Sequence, residues 1–109
     1  MPDEPEALGL LALMLIQDSR RDARVDPAGD LVPLEEQDRS SWDRPAIEEG
    51  LLYLDAASRR QHPGPYQVQA AIASCHATAD EPSATDWARI ALLYAELARM
   101  VRSCLLYTS

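Results

Sequence analysis

Apolar residues crowd the start of this chain and thin into stripes further along. Leu8, Leu10, Leu11, Leu13, Met14, Leu15 and Ile16 leave no polar face, the pattern of a helix enclosed by others. Gln17 to Arg24 then turns abruptly polar, so the helix end leaves the core. The predicted helix runs from Pro5 to about Asp22, with Asp3 as N-cap, Pro5 in the first turn, and Glu4 and Glu6 in the favourable field of the helix dipole. Gly9 costs about 1 kcal/mol against Ala in a helix interior, which predicts a neighbouring helix packed close at that point.

A long connection follows. Asp26-Pro27-Ala28-Gly29 carries the residues a type I turn prefers, and Arg24-Val25 with Leu31-Val32 form a very short hairpin that Pro33 stops from growing. Asp38-Arg39-Ser40-Ser41 predicts one tight turn, after which Asp43 caps a second helix that has Pro45 in its first turn and ends near Arg60. Its predicted inner stripe is Ile47, Leu51, Leu54 and Ala57 or Ser58, widened by Leu52 and Ala56.

Pro63-Gly64-Pro65 breaks the chain, and Pro65 opens a third helix. That helix presents Tyr66, Gln69, Ala70, Ala73, His76 and Ala77 on one face and Val68, Ile72, Cys75 and Ala79 on another, so it needs two neighbours. After the linker Asp80–Ala84, Thr85 or Ser83 caps a fourth helix from about Asp86 to about Arg102, with Trp87, Ile90, Ala91, Tyr94, Leu97 and Ala98 as its buried face. The fold class is therefore all-α, about four helices with one short hairpin-like connection.

Composition narrows the function. At 109 residues the chain is one small domain or a piece of a larger one, and the dominance of Ala and Leu, with no Phe, favours helix over sheet. A formal net charge of -8 argues against direct contact with nucleic acid, whose affinity comes from Lys and Arg displacing counterions. The apolar run falls short of the roughly 20 residues a membrane span requires. Asp3, Glu4 and Glu6 stand where a secretory signal is basic, so no membrane association is predicted and the location is read as cytoplasmic. Cys75 and Cys104 have neither disulfide nor zinc spacing.

Trp87-Ala88-Arg89-Ile90-Ala91-Leu92-Leu93-Tyr94 fits the W-x2-L-G-x2-Y opening of a tetratricopeptide helix, with Ile for Leu and Ala for Gly. Longer strings point further: Pro2–Leu15, Leu34-Glu35-Glu36-Gln37-Asp38-Arg39-Ser40-Ser41-Trp42-Asp43, Gly64–Ala73, His76-Ala77 and Thr85-Asp86-Trp87. In this order and with these gaps they resemble the C-terminal extension of a group of bacterial extracytoplasmic-function RNA polymerase sigma factors, which carries a tetratricopeptide-like region after the promoter-reading domains. The resemblance covers residues 2–100. It implies transcription initiation as the parent protein's role, with this fragment supporting or regulating it through contacts with the sigma domains of its own parent chain and with RNA polymerase. The promoter- and core-binding domains are not in this chain, so those activities attach to no residue here. Residues 101–109 read as a non-native read-through tail.

The family strings supply Glu36, Asp38, Arg39, Trp42, Asp43, Tyr66, Gln69, His76 and Trp87 as candidate interaction residues, and Arg24 joins them from the basic group Arg20, Arg21, Arg24 and Arg39. Those arginines are expected to pair with Glu35, Glu36 and Asp38 and pin the connection onto the first helix; the sharper alternative is a docking surface. Trp42 and Trp87 are read as core anchors. His76 and Cys75 are helix neighbours that diverge by about 100° and cannot readily share a site, which makes His76 a buried, hydrogen-bonded residue. The acids lack the spacing of a calcium loop. No phosphate loop, catalytic triad or paired acid and base is present, so no enzyme activity, cofactor or metal is predicted. The alternative function is a free-standing helical interaction scaffold unrelated to transcription.

Overall fold

The computed structural model describes residues 4–108, and the side chains of residues 4–103. Four helices carry the chain: α1 (Pro5–Asp18), α2 (Arg44–Arg59), α3 (Pro65–Ala77) and α4 (Trp87–Thr108). Between α1 and α2, short 3₁₀ turns at Arg21–Ala23, Leu34–Glu36 and Arg39–Ser41 divide the connection, and another at Pro82–Ala84 precedes α4. The hairpin-like connection is present as a single antiparallel bridge between Val25 and Leu31. Its turn closes through the Gly29 N–H on the Asp26 carbonyl at 2.9 Å, while the Asp26 carboxylate accepts from the amides of Ala28 and Asp30.

Helix ends follow local chemistry. The predicted Asp3 cap lies outside the described residues; at the Glu4 position no side chain caps α1. α1 stops at Asp18 rather than Asp22, because the Ser19 hydroxyl donates back to the Ile16 carbonyl and the Ser19 carbonyl accepts from the Asp43 N–H at 2.8 Å. Asp43 caps α2 as predicted, its carboxylate accepting from the Ala46 N–H at 3.2 Å. Neither Thr85 nor Ser83 caps α4; Asp86 does, accepting from the Arg89 N–H at 3.0 Å, while Thr85 is buried. α4 continues past Arg102 to Thr108, since Ser103 to Thr108 contains no Pro or Gly to stop it.

α1 and α3 lie side by side in the same direction: Gly9 faces Gln67 near both starts, and Ile16 and Ala77 share a core cluster near both ends. α2 returns along α1, setting Gly50 on Ala12 and Ile16 and placing Tyr53 and Leu54 against the cluster of Ala12, Leu13 and Ala70. α4 begins at the end of α3 and runs back along it, with Leu93, Leu97 and Met100 against Val68, Ile72, Cys75 and Ile90. Two helix pairs therefore stack with their first helices parallel, the arrangement of a tetratricopeptide-like array.

Three expected faces are corrected. α1 is enclosed by α2 and α3 on its inner side only; Leu11 and Met14 are exposed, Met14 by 58%. Among the described residues, α2 and α3 are the helices packed closely on α1, and its third side is left open. On α2, Leu52 points outward and Gly50 joins the buried stripe, because close contact with Ile16 requires a position without a side chain. On α4 the inner stripe is Ile90, Leu93, Leu97 and Met100, while Trp87, Ala91, Tyr94 and Ala98 are exposed. Among the described residues α4 packs mainly on α3, and that contact selects this face rather than the predicted one.

Charged groups far away in sequence close both ends of α3. At its start, the Glu6 carboxylate accepts from the backbone N–H groups of Tyr66 at 3.0 Å and Gln67 at 3.1 Å, and from the Gln67 side-chain amide. A negative charge here satisfies amides that have no partner within the helix and meets the positive end of the dipole. The contact demands a close approach: a Cβ on Gly64 would stand 2.3 Å from Glu6, and one on Gly9 would stand 2.7 Å from the Gln67 side chain and 2.9 Å from its backbone nitrogen. Replacing Glu6 by Ala is expected to cost about 1–2 kcal/mol, within the range for loss of a helix cap. Gly9→Ala is expected to destabilise despite the roughly 1 kcal/mol that Ala gains in a helix interior. Urea unfolding followed by circular dichroism measures both, and a more stable Gly9→Ala variant would contradict the α1–α3 packing.

Candidate functional site

In the stretch Leu34–Asp43, Trp42 is buried and several polar side chains are engaged in specific hydrogen bonds. The Asp38 carboxylate accepts from the hydroxyl and N–H of Ser40, which holds its pKa below the ordinary carboxylate value, the hydroxyl bond contributing most. Trp42 is buried, and its indole N–H donates to the Gln37 side chain at 3.2 Å, which in turn donates to the Val32 carbonyl at 3.1 Å. Arg39 crosses to the far end of α3, donating from Nη1 to the carbonyls of His76 at 2.9 Å and Ala79 at 3.0 Å. It satisfies carbonyls left open at a helix C-terminus and places positive charge where the dipole is negative.

This changes the expected role of the arginines. Among the described residues, ion pairs join Arg21 to Asp18, Arg59 to Asp55 and Arg99 to Glu96, all exposed, where such pairs contribute under about 1 kcal/mol. Arg24 donates to the Gln17 carbonyl and so does fasten the connection to α1, but without a carboxylate. Arg39 fastens the connection to α3 instead. Arg20 and Arg39 both lie against Trp42, their guanidinium carbons 5.9 Å and 4.6 Å from the ring centre. Cation–π contact and the indole's flat face hold them in place.

Beside this stack lies a groove of about 250 Å³ between α1, α3 and α4. Leu13, Gln17 and Arg20 line one wall, Gln69, Ile72, Ala73 and His76 another, and Tyr94 and Leu97 the third, with Leu34 from the connection. Leu13 and Gln17, and Gln69, Ile72, Ala73 and His76, stand at single-face helical spacings set by the register of α1 and α3, and Arg20 extends the first wall from the turn after α1. The His76 ring meets Trp87 edge to face at 5.4 Å. Burial pushes the His76 pKa below its ordinary value, the positive fields of Arg20 and Arg39 push it the same way, and Glu35 opposes them. Arg20 is likewise lowered, first by burial and then by Arg24 and Arg39.

A larger cleft of about 470 Å³ lies on the outer side of α1, lined by Leu11, Met14 and Leu15 with the Asp18–Arg21 pair. Its rim charges already have partners, whereas the Arg20 side chain in the smaller groove makes no hydrogen bond or ion pair among the described residues, and its buried Nε is unpartnered. The smaller groove is therefore the candidate site.

Of the predicted residues, Gln69 and His76 line the groove and Trp87 borders it. His76 is half-buried and offers its backbone carbonyl to Arg39. Trp87, predicted as a core anchor, is 52% exposed, with one edge of its ring set against His76. Trp42 and Arg39 form the groove's support, and Asp38 and Asp43 act as caps of the adjoining turn and helix. Arg24 sits on the outer cleft, Glu36 is exposed in its 3₁₀ turn, and Tyr66 is exposed at the first turn of α3, away from the groove. The sequence reading missed Gln17 and Tyr94 as groove residues and Glu6 as a cap for α3. The helical spacing to Leu13 could have revealed Gln17. Nothing local distinguishes Glu6, whose partners lie 60 residues away.

Comparison with known proteins places this chain. Residues 1–58 match the model of DUF6596, a family of unknown function, and the chain belongs to that family. It is also 54% identical, over 99 residues, to an uncharacterized protein of Rhizobium meliloti (strain 1021). The match takes in 91% of this chain and 23% of that protein, so the chain spans under a quarter of the relative's length. No solved structure matches it.

The two arginines on Trp42 separate by test. Arg39→Met removes two charge-assisted bonds to carbonyls and is expected to cost about 2 kcal/mol. Arg20→Met keeps the stem's packing and loses no side-chain hydrogen bond, and relief of repulsion from Arg24 and Arg39 offsets the lost cation–π contact, so its stability should stay within about 0.5 kcal/mol of the parent. The lowered His76 pKa predicts a pH effect. Below about pH 6.5 the unfolded chain takes up the proton before the folded one does, so stability should fall with pH from there and level off below the folded value. Comparing urea midpoints across that window with His76→Gln isolates the effect, which the variant should lack.

Proposed function

We propose that this chain is part of the C-terminal helical extension of an extracytoplasmic-function RNA polymerase sigma factor, acting in the cytoplasm as a protein-contact module for transcription initiation. The observation that carries the reading is the Leu34–Asp43 stretch. The residues by which the chain resembles those extensions hold the connection together: Asp38 and Asp43 as caps, Trp42 as a buried platform, and Arg39 as the clamp on α3. The net charge of -8 fits a segment that leaves nucleic acid to other domains. The stacking of two helix pairs fits a tetratricopeptide-like region. The relative's much greater length leaves room for sigma domains in a parent protein.

No helix among the described residues is long and apolar enough to cross a membrane. The contacts are assigned to the parent chain's own sigma domains and to RNA polymerase.

The test uses the full-length parent and core RNA polymerase in promoter-directed transcription. The full-length protein is expected to bind core polymerase and initiate, and removing the region equivalent to residues 1–100 should change transcript yield by about tenfold, equivalent to about 1.4 kcal/mol of coupling. A full-length parent that neither binds core polymerase nor initiates would overturn the reading and leave a helical scaffold outside transcription.

A further inference from the structure

We propose that the groove between α1, α3 and α4 is a docking site for an Asp or Glu side chain carried on a segment of a partner protein, with Arg20 as the charged contact. This recognition chemistry is independent of whether the parent acts in transcription.

Arg20 has a packed seat in the fold but, among the described residues, no counter-charge. Arg20 is half-buried, seated on the Trp42 face, and its buried Nε has no hydrogen-bond partner. The chain holds 18 Asp and Glu, yet among the described residues none forms an ion pair with it. Its cationic neighbours make the vacancy more costly, since the Arg39 and Arg24 guanidinium groups donate to backbone carbonyls and bring no negative charge. A half-buried guanidinium without a carboxylate loses part of its hydration and gains little in return. An incoming carboxylate would restore the balance through paired N–H donors of fixed geometry.

The groove's shape selects the carrier. At about 250 Å³ it is smaller than the 300–1,000 Å³ of typical small-molecule pockets, so one side chain and its flanks fill it. Gln17 and Gln69 supply polar groups beside Arg20, and Leu34, Leu97 and Tyr94 supply apolar wall. An acidic residue next to an aliphatic one matches that lining. The chain's overall negative charge disfavours long acidic tracts, because repulsion acts over a Debye length of about 8 Å. A short segment with an isolated acidic side chain escapes that penalty.

The experiment titrates the 109-residue chain with the peptide acetyl-Leu-Glu-Leu-amide, following side-chain and amide NMR shifts at low salt. Saturable shifts at the Arg20 Nε–H and the Trp42 and Trp87 indoles are expected, with binding about tenfold weaker for acetyl-Leu-Gln-Leu-amide. Arg20→Met should lose a similar factor with an unchanged unfolding midpoint, and Arg20→Lys should retain part of the binding. Should Arg20→Met fail to fold, the Glu and Gln peptides on the parent chain still decide. Equal binding of the two peptides, or no saturable binding by either, would overturn the proposal. So would N-acetylglutamate binding as tightly as the tripeptide, which would mark a small-molecule site.

Discussion

α3 is the member of this array whose two ends are both closed from outside by charge: the Glu6 carboxylate on its first amides and the Arg39 guanidinium on its last carbonyls. A helix end leaves four backbone groups without partners, and burying such an end is tolerable only when they are satisfied. Here the satisfying groups come from the first helix and from the connection after it. The same two contacts therefore fix where α3 lies along α1 and where the connection crosses. Once that register is set, Gly9 and Gly64 make close approach possible, and Ile16, Ala70 and Ala77 come together in the core.

The connection between α1 and α2 owes its order to polar anchoring more than to apolar burial. Among its residues Trp42 is deeply buried, and around it Gln37, Asp38, Arg39 and Asp43 each meet a backbone or side-chain partner. These bonds are short-range and geometrically demanding, so they specify one path for a segment that has little hydrophobic reason to choose among paths. They also explain why this acidic chain carries a cationic patch inside it. Two arginines converge on one tryptophan, Arg39 holding backbone carbonyls of α3 and Arg20 left facing the groove.

Exposed apolar side chains are found on every helix and on the connection, Leu52 on α2, Tyr66 on α3 and Leu31 in the hairpin-like turn among them. Leu11 and Met14 on α1, and Trp87, Leu92 and Tyr94 on α4, remain in contact with solvent. Stacked helix pairs bury residues only against their neighbours, so outer faces stay open wherever no further pair is present. The groove differs from these faces because it combines apolar wall with an unpartnered guanidinium, and a charge confers selectivity that a bare apolar stripe lacks.

Much of the local structure was legible in the sequence. The all-α class, the starts of α2 and α3, the turns at Asp26 and Asp38 and the capping role of Asp43 follow from propensity, proline placement and cap chemistry, all settled within a few residues. The need for close approach at Gly9 was legible too, though not its partner. Tertiary structure alone decided which side of α4 turns inward, because an apolar helix with several candidate stripes takes the one that α3 covers. It also decided the groove. Pairing of Arg39 with α3 rather than with the nearby acids, and isolation of Arg20 beside it, depend on packing across 37 and more residues, a distance over which periodicity and spacing carry no information.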